Sequence, residues 1–590
     1  MSAPNRNTLW ARALVSELES AGIDAVCVAP GSRSTPLTVA FAQHPDIEVF
    51  SHLDERSAAF FALGRAKRTG KPTPLVCTSG TAAANFHPAV IEANQARVPM
   101  LLLTADRPPE LRDSGANQTI DQQKLYGDAV RWYKDLPEPE ADGRKLRSLR
   151  ATTARAVVES TGTPPGPVHL NVPFRKPLEP VEVPGDVPED FAAESPLGAE
   201  GRDGAFVGTA QGRPELADDE IRRVRRAIEE TDRGLVVAGP ANSPTPSRAA
   251  LADLAEATGF PVLADPLSGH RFGHDAEVPI LGGYDGYLDA VGDSWPDPEV
   301  VLRFGASPTS KVLRQYLEAS DARQFLVDPA GGWREATFTA TDLLSADPTR
   351  LARTLAETTD SAAAKSAVSE SWRSRFAETE DRYWDLVADA RAERLFEGGV
   401  LSAVAQDTPD PATLMVSNSM PVRDLDRFGQ PRSADLSVLG NRGASGIDGI
   451  TSTGLGAGSA TDDPLVIVTG DLAYYHDMNG LLAVARCGVD ATIVEINNDG
   501  GGIFHMLPIE EFDPPFTEQF RTPHGLDYEP TGVLYGLDFE RVADLDAFRS
   551  AFRESVGSEG TQVIEVTTDA DDSHRFRDEV AERVGDELGQ

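Results

Sequence analysis

The sequence predicts an α/β protein built from three doubly wound parallel-sheet domains, and three observations lead there. The 590 residues are enough for about three or four domains of ordinary size. Short apolar runs alternate with helical patterns from the first block onward, the mark of parallel strands covered by helices on both faces. Two stretches of different character, one rich in Pro, Gly and acid and one polar and helical, divide that alternation into three blocks.

The first block is read over residues 1–178. Leu9, Ala13, Leu14 and Leu18 recur at helical spacing and make its first helix. The runs DAVCVAP, IEVFSHL, PLVCTSG, PMLLLTAD and PVHLNVP are its strands. Residues 179–217 read as an exposed crossover linker. The central block, 218–350, opens with the helix DDEIRRVRRAIEE and continues through GLVVAGPA, PVLADPLS, VVLRFGASPT and QFLVDPA. A polar helical connector, 351–398, is expected to pack between domains. The third block, 399–590, carries TLMVSNSM, ADLSVLGNRG, PLVIVTGDLA, DATIVEINNDGG and TQVIEVTT, and closes in a helix.

Composition excludes several functions. With 40% hydrophobic and 25% charged residues, the chain reads as a soluble enzyme. No run approaches the roughly 18 apolar residues of a membrane helix, and the N-terminus lacks a signal-peptide core, so the expected location is cytoplasmic. The three cysteines are far apart in apolar contexts and read as buried, inert thiols. A net charge of −38 argues against nucleic acid as a partner. Only eight of the 55 basic residues are lysine. Acid-rich, Lys-poor surfaces stay hydrated in concentrated salt, so the composition predicts a halophilic archaeal source, with an ordinary acidic mesophile as the alternative.

In the third block, PLVIVTG ends in Gly470-Asp471, and ATIVEI ends in Asn497-Asn498-Asp499-Gly500-Gly501. Both polar groups fall at the carboxyl ends of parallel strands, where open α/β sheets bind ligands. Asp471, Asn498 and a nearby glycine carbonyl, that of Gly500, are hard oxygen ligands suited to Mg²⁺. Turn residues at strand ends would account for each half separately. In the first block, Glu55 opens a helix after a strand, where the helix macrodipole alone favours an acid.

The 27 positions from Asp471 to Asn498, 498 − 471, match the spacing in thiamine-diphosphate enzymes, with Leu472 in place of the usual glycine. With that spacing, APGSRSTPL (29–37), TSGTAAANFHPAVIEA (78–93), LLLTADRPPELRDSGANQTIDQ (101–122), GNRGASGIDG (440–449) and NNDGGGIFHMLP (497–508) closely resemble the 2-succinyl-5-enolpyruvyl-6-hydroxy-3-cyclohexene-1-carboxylate synthase (MenD) family, whose members share the leucine. The match covers the first and third blocks almost end to end and is weak in the middle one.

The resemblance implies domains of the thiamine-diphosphate-enzyme type: a pyrimidine-binding first block and a diphosphate-binding third block. It implies thiamine diphosphate as cofactor, with Mg²⁺ or Mn²⁺. Glu55 would be the carboxyl group that hydrogen-bonds N1′ of the aminopyrimidine, so that the cofactor acts as its own base. Ser419 would lie near the diphosphate with Gly470, Asp471, Asn498 and Gly500. Ile447 would be the apolar wedge that bends the cofactor. The substrates would be 2-oxoglutarate and isochorismate, both dicarboxylates, for which guanidinium forks are natural partners. By the same resemblance Arg33, Arg107, Gln118, Lys311, Arg423 and Arg442 line the pocket, with Ser32 and Asn117 beside them. Arg33 and Gln118 join Glu55 as catalytic candidates, and Ile503, Phe504 and Leu507 form an apolar wall, although core packing accounts for those three nearly as well.

The implied reaction decarboxylates 2-oxoglutarate and adds the succinyl-semialdehyde carbanion to isochorismate, in menaquinone biosynthesis. Another thiamine-diphosphate 2-oxo acid decarboxylase or carboligase is the enzyme alternative, disfavoured by the arginine set. A nucleotide-binding paralogue is the non-enzyme alternative, disfavoured by Glu55. In this superfamily the two half-sites usually come from different subunits, so a homodimer or homotetramer is expected, with no membrane partner. TGLGAGSA (453–460) reads as a small-residue helix in close packing, since no strand enters it and no acid follows at dinucleotide-binding spacing.

Overall fold

A computed structural model of the chain describes residues 3–242, 244–274, 279–361 and 367–589. The chain divides into two compact units: Met1–Gln211 with Gly443–Asp462 and Asp477–Val489, and Gly212–Arg442 with Asp463–His476 and Asp490–Gln590.

The first unit holds a six-stranded parallel sheet of β1 (Ala25–Val28), β2 (Glu48–Ser51), β3 (Thr73–Cys77), β4 (Met100–Asp106), β5 (Trp132–Asp135) and β6 (Pro167–Pro173), ordered β2-β1-β3-β4-β6-β5. Every residue of β1, β3, β4 and β6 is buried, as a sheet covered on both faces requires. The order reverses between β1 and β3, which opens a crevice at their carboxyl ends. The first helix, Arg6–Ser20, is capped by the Asn5 side chain and buries Leu9, Ala13, Leu14 and Leu18.

The TGLGAGSA segment forms the helix Ile450–Gly458, packed on the helix Glu55–Thr69. A Cβ on Gly64 would lie 1.9 Å from the Thr453 carbonyl oxygen, and one on Gly456 would lie 2.0 Å from that of Phe61. These glycines serve backbone-to-backbone packing. Residues 179–211 run against the first block more closely than an exposed linker would. The Asn5 side chain donates to the carbonyls of Glu179 and Val181, the buried Arg150 donates to those of Gly198 and Ala199, and Phe191 is buried.

The second unit holds two further parallel sheets. One contains β7 (Gly234–Ala238), β8 (Val262–Ala264), β9 (Ile280–Leu281), β10 (Val300–Phe304), β11 (Arg323–Val327) and β12 (Asp342–Leu344), ordered β12-β11-β10-β7-β8-β9. The other contains β13 (Ala412–Val416), β14 (Leu436–Leu439), β15 (Leu465–Gly470), β16 (Thr492–Asn497), β17 (Asp538–Val542) and β18 (Gln562–Thr567), ordered β14-β13-β15-β16-β18-β17. The helix Ala367–Glu393 buries Trp372, Phe376, Tyr383 and Trp384 in one cluster with Phe396 at the end of the connector, Tyr284 and Tyr287 of the central block and Phe428 and Phe576 of the third. Its Glu380 is buried, and the N–H groups of Gly282 and Gly283 and the Trp384 indole all donate to one of its carboxylate oxygens.

Cys27 and Cys77 are buried free thiols, and burial pushes both well above the ordinary thiol range. Cys487 is half-buried, less enclosed than its apolar sequence context suggests, and burial pushes it to about 11. All three are poor nucleophiles at neutral pH. Among the described residues no helix is long and apolar enough to cross a membrane.

Candidate active site

In the first unit the candidate residues follow the carboxyl ends of β1 to β4. After β1, the backbone N–H of Arg33 donates to Thr78 Oγ1 at 3.1 Å, and the buried guanidinium donates to the Phe174 carbonyl at 2.7 Å. Ser32 beside it is exposed. After β4, Arg107 donates from its backbone to Asp106 Oδ1 and from Nη2 to the Asn117 carbonyl, at 2.7 Å each. Burial, then the like charge of Arg107, lowers the Arg33 pKa, with Asp106 opposing. A buried guanidinium whose charge is disfavoured by its burial and by a neighbouring arginine is suited to an incoming anion. Asn117 is exposed. Gln118, at φ 53°, is exposed and exchanges two hydrogen bonds with Ser79, which follows β3.

Glu55 is the first residue of its helix, whose N-cap Asp54 accepts from the N–H groups of Arg56 and Ser57. Its carboxylate is half-buried and close enough to β3 to add to the burial that raises the Cys77 pKa. Ile447 lies in a loop held by the buried Glu92, whose carboxylate accepts from Gly443 N at 2.9 Å and Ala444 N at 2.6 Å. Ile447 itself is half-buried.

In the second unit, Gly470-Asp471 ends β15 and Asn498 follows β16, two adjacent strands. Asp471 is buried. Its Oδ1 accepts from Leu472 N at 2.6 Å, and its Oδ2 accepts from Gly500 N at 2.8 Å. Burial raises its pKa, and these hydrogen bonds oppose the rise. A Cβ on Gly470 would meet open space, whereas one on Gly500, at φ 140°, would lie 2.1 Å from the Arg521 carbonyl oxygen. Asn498 is buried, and its Nδ2 donates to Glu397 Oε1 at 2.7 Å while its Oδ1 has no partner. A buried carbonyl oxygen left bare beside a buried carboxylate fits a hard divalent cation, so the residues present suit the implied metal.

Ser419 follows β13 at φ 71°, an uncommon conformation for a non-glycine residue, and caps the helix Met420–Phe428. Arg423 Nη1 donates to the Ser419 carbonyl at 2.6 Å, and Arg442 Nη1 donates to Asn418 Oδ1 at 3.2 Å. Burial, then Arg442 and Arg314, lowers the Arg423 pKa, a second group of like charges. Lys311 is exposed at the start of the helix Lys311–Ala319, which Ser310 caps. Ile503 and Phe504 are half-buried and Leu507 is 47% exposed, so core packing does not account for Leu507.

Sequence reasoning missed several supporting residues. His524 Nδ1 accepts from Leu526 N at 2.9 Å, so its proton sits on Nε2, 3.2 Å from Asp471 Oδ2. Tyr528 donates to the Asp471 carbonyl at 3.2 Å. Glu397, Asp424 and Arg577 form a buried network behind Asn498. These residues lie 53 or more positions from the groups they support (524 − 471 for His524 and Asp471), beyond any local spacing signal.

Comparison with known proteins bears on the whole chain. Residues 10–125 match the family described as thiamine pyrophosphate enzyme, N-terminal TPP binding domain. Residues 217–416 match the middle domain of thiamine pyrophosphate enzymes, and 432–566 the C-terminal TPP binding domain. A 2-succinyl-5-enolpyruvyl-6-hydroxy-3-cyclohexene-1-carboxylate synthase of Haloarcula marismortui is 66% identical, covering 100% of both chains. Proteins of the same name from Halobacterium salinarum and Roseiflexus castenholzii are 61% and 49% identical, covering 99% and 96% of this chain and 99% and 97% of their own. The haloarchaeal relatives fit the source expected from composition. A Rhodococcus jostii thiamine diphosphate-dependent 4-hydroxybenzoylformate decarboxylase has the same fold, with TM-score 0.70 and 17% identity over 95% of this chain and 99% of its own. From its full-length relatives and its three matched domains, the chain belongs to the 2-succinyl-5-enolpyruvyl-6-hydroxy-3-cyclohexene-1-carboxylate synthase family of thiamine-diphosphate enzymes.

Proposed function

We propose that the protein decarboxylates 2-oxoglutarate and joins the remaining four-carbon unit to isochorismate, giving 2-succinyl-5-enolpyruvyl-6-hydroxy-3-cyclohexene-1-carboxylate and CO₂ in menaquinone biosynthesis. The observation that carries this reading is the pair of like-charged arginine groups, Arg33 with Arg107 and Arg423 with Arg442 and Arg314. Guanidinium groups that repel one another become favourable once a carboxylate sits among them, and both substrates are dicarboxylates. A monocarboxylate would leave a guanidinium unpaired, a cost of about 1–3 kcal/mol or more for a buried charged donor.

Bound thiamine diphosphate supplies the electron sink for the carbanion left when CO₂ departs. Glu55 holds a hydrogen bond to N1′ of the aminopyrimidine. Asp471, Asn498 and the Gly500 carbonyl hold Mg²⁺ or Mn²⁺, and Gly470 and Ser419 leave room for the diphosphate. Ile447 would pack against the cofactor. Arg33, Arg107, Gln118, Asn117 and Ser32 orient one part of the substrate set, and Lys311, Arg423 and Arg442 another. Ile503, Phe504 and Leu507 exclude water from the reacting carbon. The enzyme works in the cytoplasm as a homodimer or homotetramer, the first-block and third-block half-sites coming from different subunits.

The test is product mass from purified protein, thiamine diphosphate, Mg²⁺, 2-oxoglutarate and isochorismate. Coupled product with release of CO₂ is expected. Succinic semialdehyde alone would point instead to a plain decarboxylase.

A further inference from the structure

The amide of Asn498 has two faces, and only one of them is an oxygen. Its Nδ2 donates to Glu397 Oε1 at 2.7 Å, and its buried Oδ1 has no partner. Glu397 is itself fixed. Its other oxygen, Oε2, receives a short hydrogen bond from Arg577 Nη2 at 2.5 Å, and Thr568 Oγ1 lies 3.4 Å from Oε1. Arg577 is held in turn by Asp424, with Nε to Oδ1 at 2.8 Å and Nη2 to Oδ2 at 2.6 Å. Glu397, Asp424, Arg577 and Asn498 are all at least nine-tenths buried.

A carboxylate has only acceptors, so it can face only the NH₂ edge of the amide. We propose that Glu397, locked by Arg577, is a positioning residue that sets the Asn498 amide with its oxygen toward the cation. This inference rests on reading Asn498 as a metal ligand. It assigns the orientation of that ligand to a helix start 101 residues before it and to an arginine of the C-terminal helix Ala570–Leu588.

The chemistry makes a specific demand on substitutions. In Glu397→Gln the side chain must turn its oxygen to the Arg577 cation, which leaves its NH₂ facing residue 498. The Asn498 amide then flips to accept from that NH₂, and its own NH₂ faces the cation, which it cannot ligate. Asn498→Asp alone sets a carboxylate against Glu397. Metal affinity should fall, although a negative ligand ordinarily raises it. In the double variant Glu397→Gln/Asn498→Asp, the new carboxylate accepts from Gln on one side and offers an oxygen to the cation on the other.

The measurement is Mn²⁺ binding to the full-length protein in the presence of thiamine diphosphate, by electron paramagnetic resonance titration, with melting curves to confirm folding. Each single variant should bind Mn²⁺ about 10–100-fold more weakly, the range typical for partners that orient a metal ligand. The double variant should regain most of that loss. Parent-like affinity in Glu397→Gln, or a double variant weaker than both singles, would overturn the proposal. Should Glu397→Gln not fold, Asn498→Asp decides alone, and unchanged or tighter Mn²⁺ binding there overturns it. Asp471→Ala separates the two levels. If it leaves Mn²⁺ binding intact, the metal site itself is misassigned. If it removes binding while the Glu397 and Asn498 variants bind normally, only the positioning role fails.

Discussion

Asp471 Oδ2 accepts the backbone N–H of Gly500 at 2.8 Å, which ties the end of β15 to the loop after β16. The same loop runs back past Arg521, whose carbonyl accepts from Gly501 N at 2.7 Å. Gly500 sits at φ 140°, and a Cβ there would lie 2.1 Å from that carbonyl oxygen. Gly500→Ala should therefore push the loop off Asp471. Backbone strain of this kind costs about 1–3 kcal/mol. A lower melting temperature and at least tenfold weaker thiamine diphosphate binding by titration calorimetry are expected. Parent-like binding in a folded variant would show that the Asp471–Gly500 contact has no part in the site.

Glu55 stands at the first position of its helix, half-buried and beside the end of β3. Glu55→Gln keeps the shape and the N-cap, which Asp54 provides, but cannot give up or take a proton. Turnover should fall by orders of magnitude while diphosphate binding survives. Near-normal turnover would remove Glu55 from the mechanism.

Asp477 provides a pH test within the first unit. Both of its oxygens face Ser452, accepting from N at 2.7 Å and from Oγ at 3.0 Å. Burial pushes its carboxyl up to about 7 from an ordinary 3.8, with Ser452 and Arg56 opposing and Asp54 adding to the rise. The folded state thus holds a proton that the unfolded chain releases. That stabilisation is fully present below about pH 4 and is lost as pH rises through about 7, at most about 4 kcal/mol in all. Asp477→Asn mimics the protonated acid, donating to Ser452 Oγ and accepting from its N–H. It should melt like the parent at pH 4 and higher than the parent at pH 8. An equal difference at both pH values would show that Asp477 does not titrate in this range.

The strands that the sequence did not reveal share one property. β5, β9, β12 and β17 all lie at sheet edges, whereas every central strand was legible as an apolar run. A central parallel strand is buried on both faces, so it must be apolar throughout. An edge strand is not so constrained: β17 reads DFERV and buries only Val542. The site divides in the same way. Asp471 and Asn498 could be proposed from their 27-position spacing at two strand ends, and Glu55 from the family resemblance. Glu397 and Arg577 could not, because burial brings them to Asn498 from distant parts of the chain, and no pattern in their own segments marks them.

Assembly follows from the half-site reading. Leu53, two residues before Glu55, is 65% exposed in the single chain, and Phe512, after the apolar wall, is 61% exposed. Exposed side chains of this size next to candidate site residues suit coverage by a second subunit. Light scattering at assay concentration should find a dimer or tetramer, and Leu53→Glu should weaken it. A fully active monomer would defeat the proposed sharing of half-sites.

Salt should strengthen this protein. Its 93 acidic residues exceed its 55 basic ones by 38, and like-charge repulsion of that size destabilises the compact state at low ionic strength. The Debye length falls from about 30 Å at 0.01 M to about 3 Å at 1 M, which screens nearly all of that repulsion. The attractive pairs that matter most are sheltered from the same screening. Arg271 and Asp426 pair at 2.7 Å with side chains 0% and 1% exposed, and Arg577 with Asp424 is nearly as enclosed. Exposed pairs such as Arg373 with Glu370 add little at any salt concentration, so losing them costs little. The repulsion is thus screened while the buried attractions persist. Melting temperature and activity should both rise from about 0.1 M to molar KCl. A melting temperature that stays flat or falls across that range would show that the acidic surface has another cause.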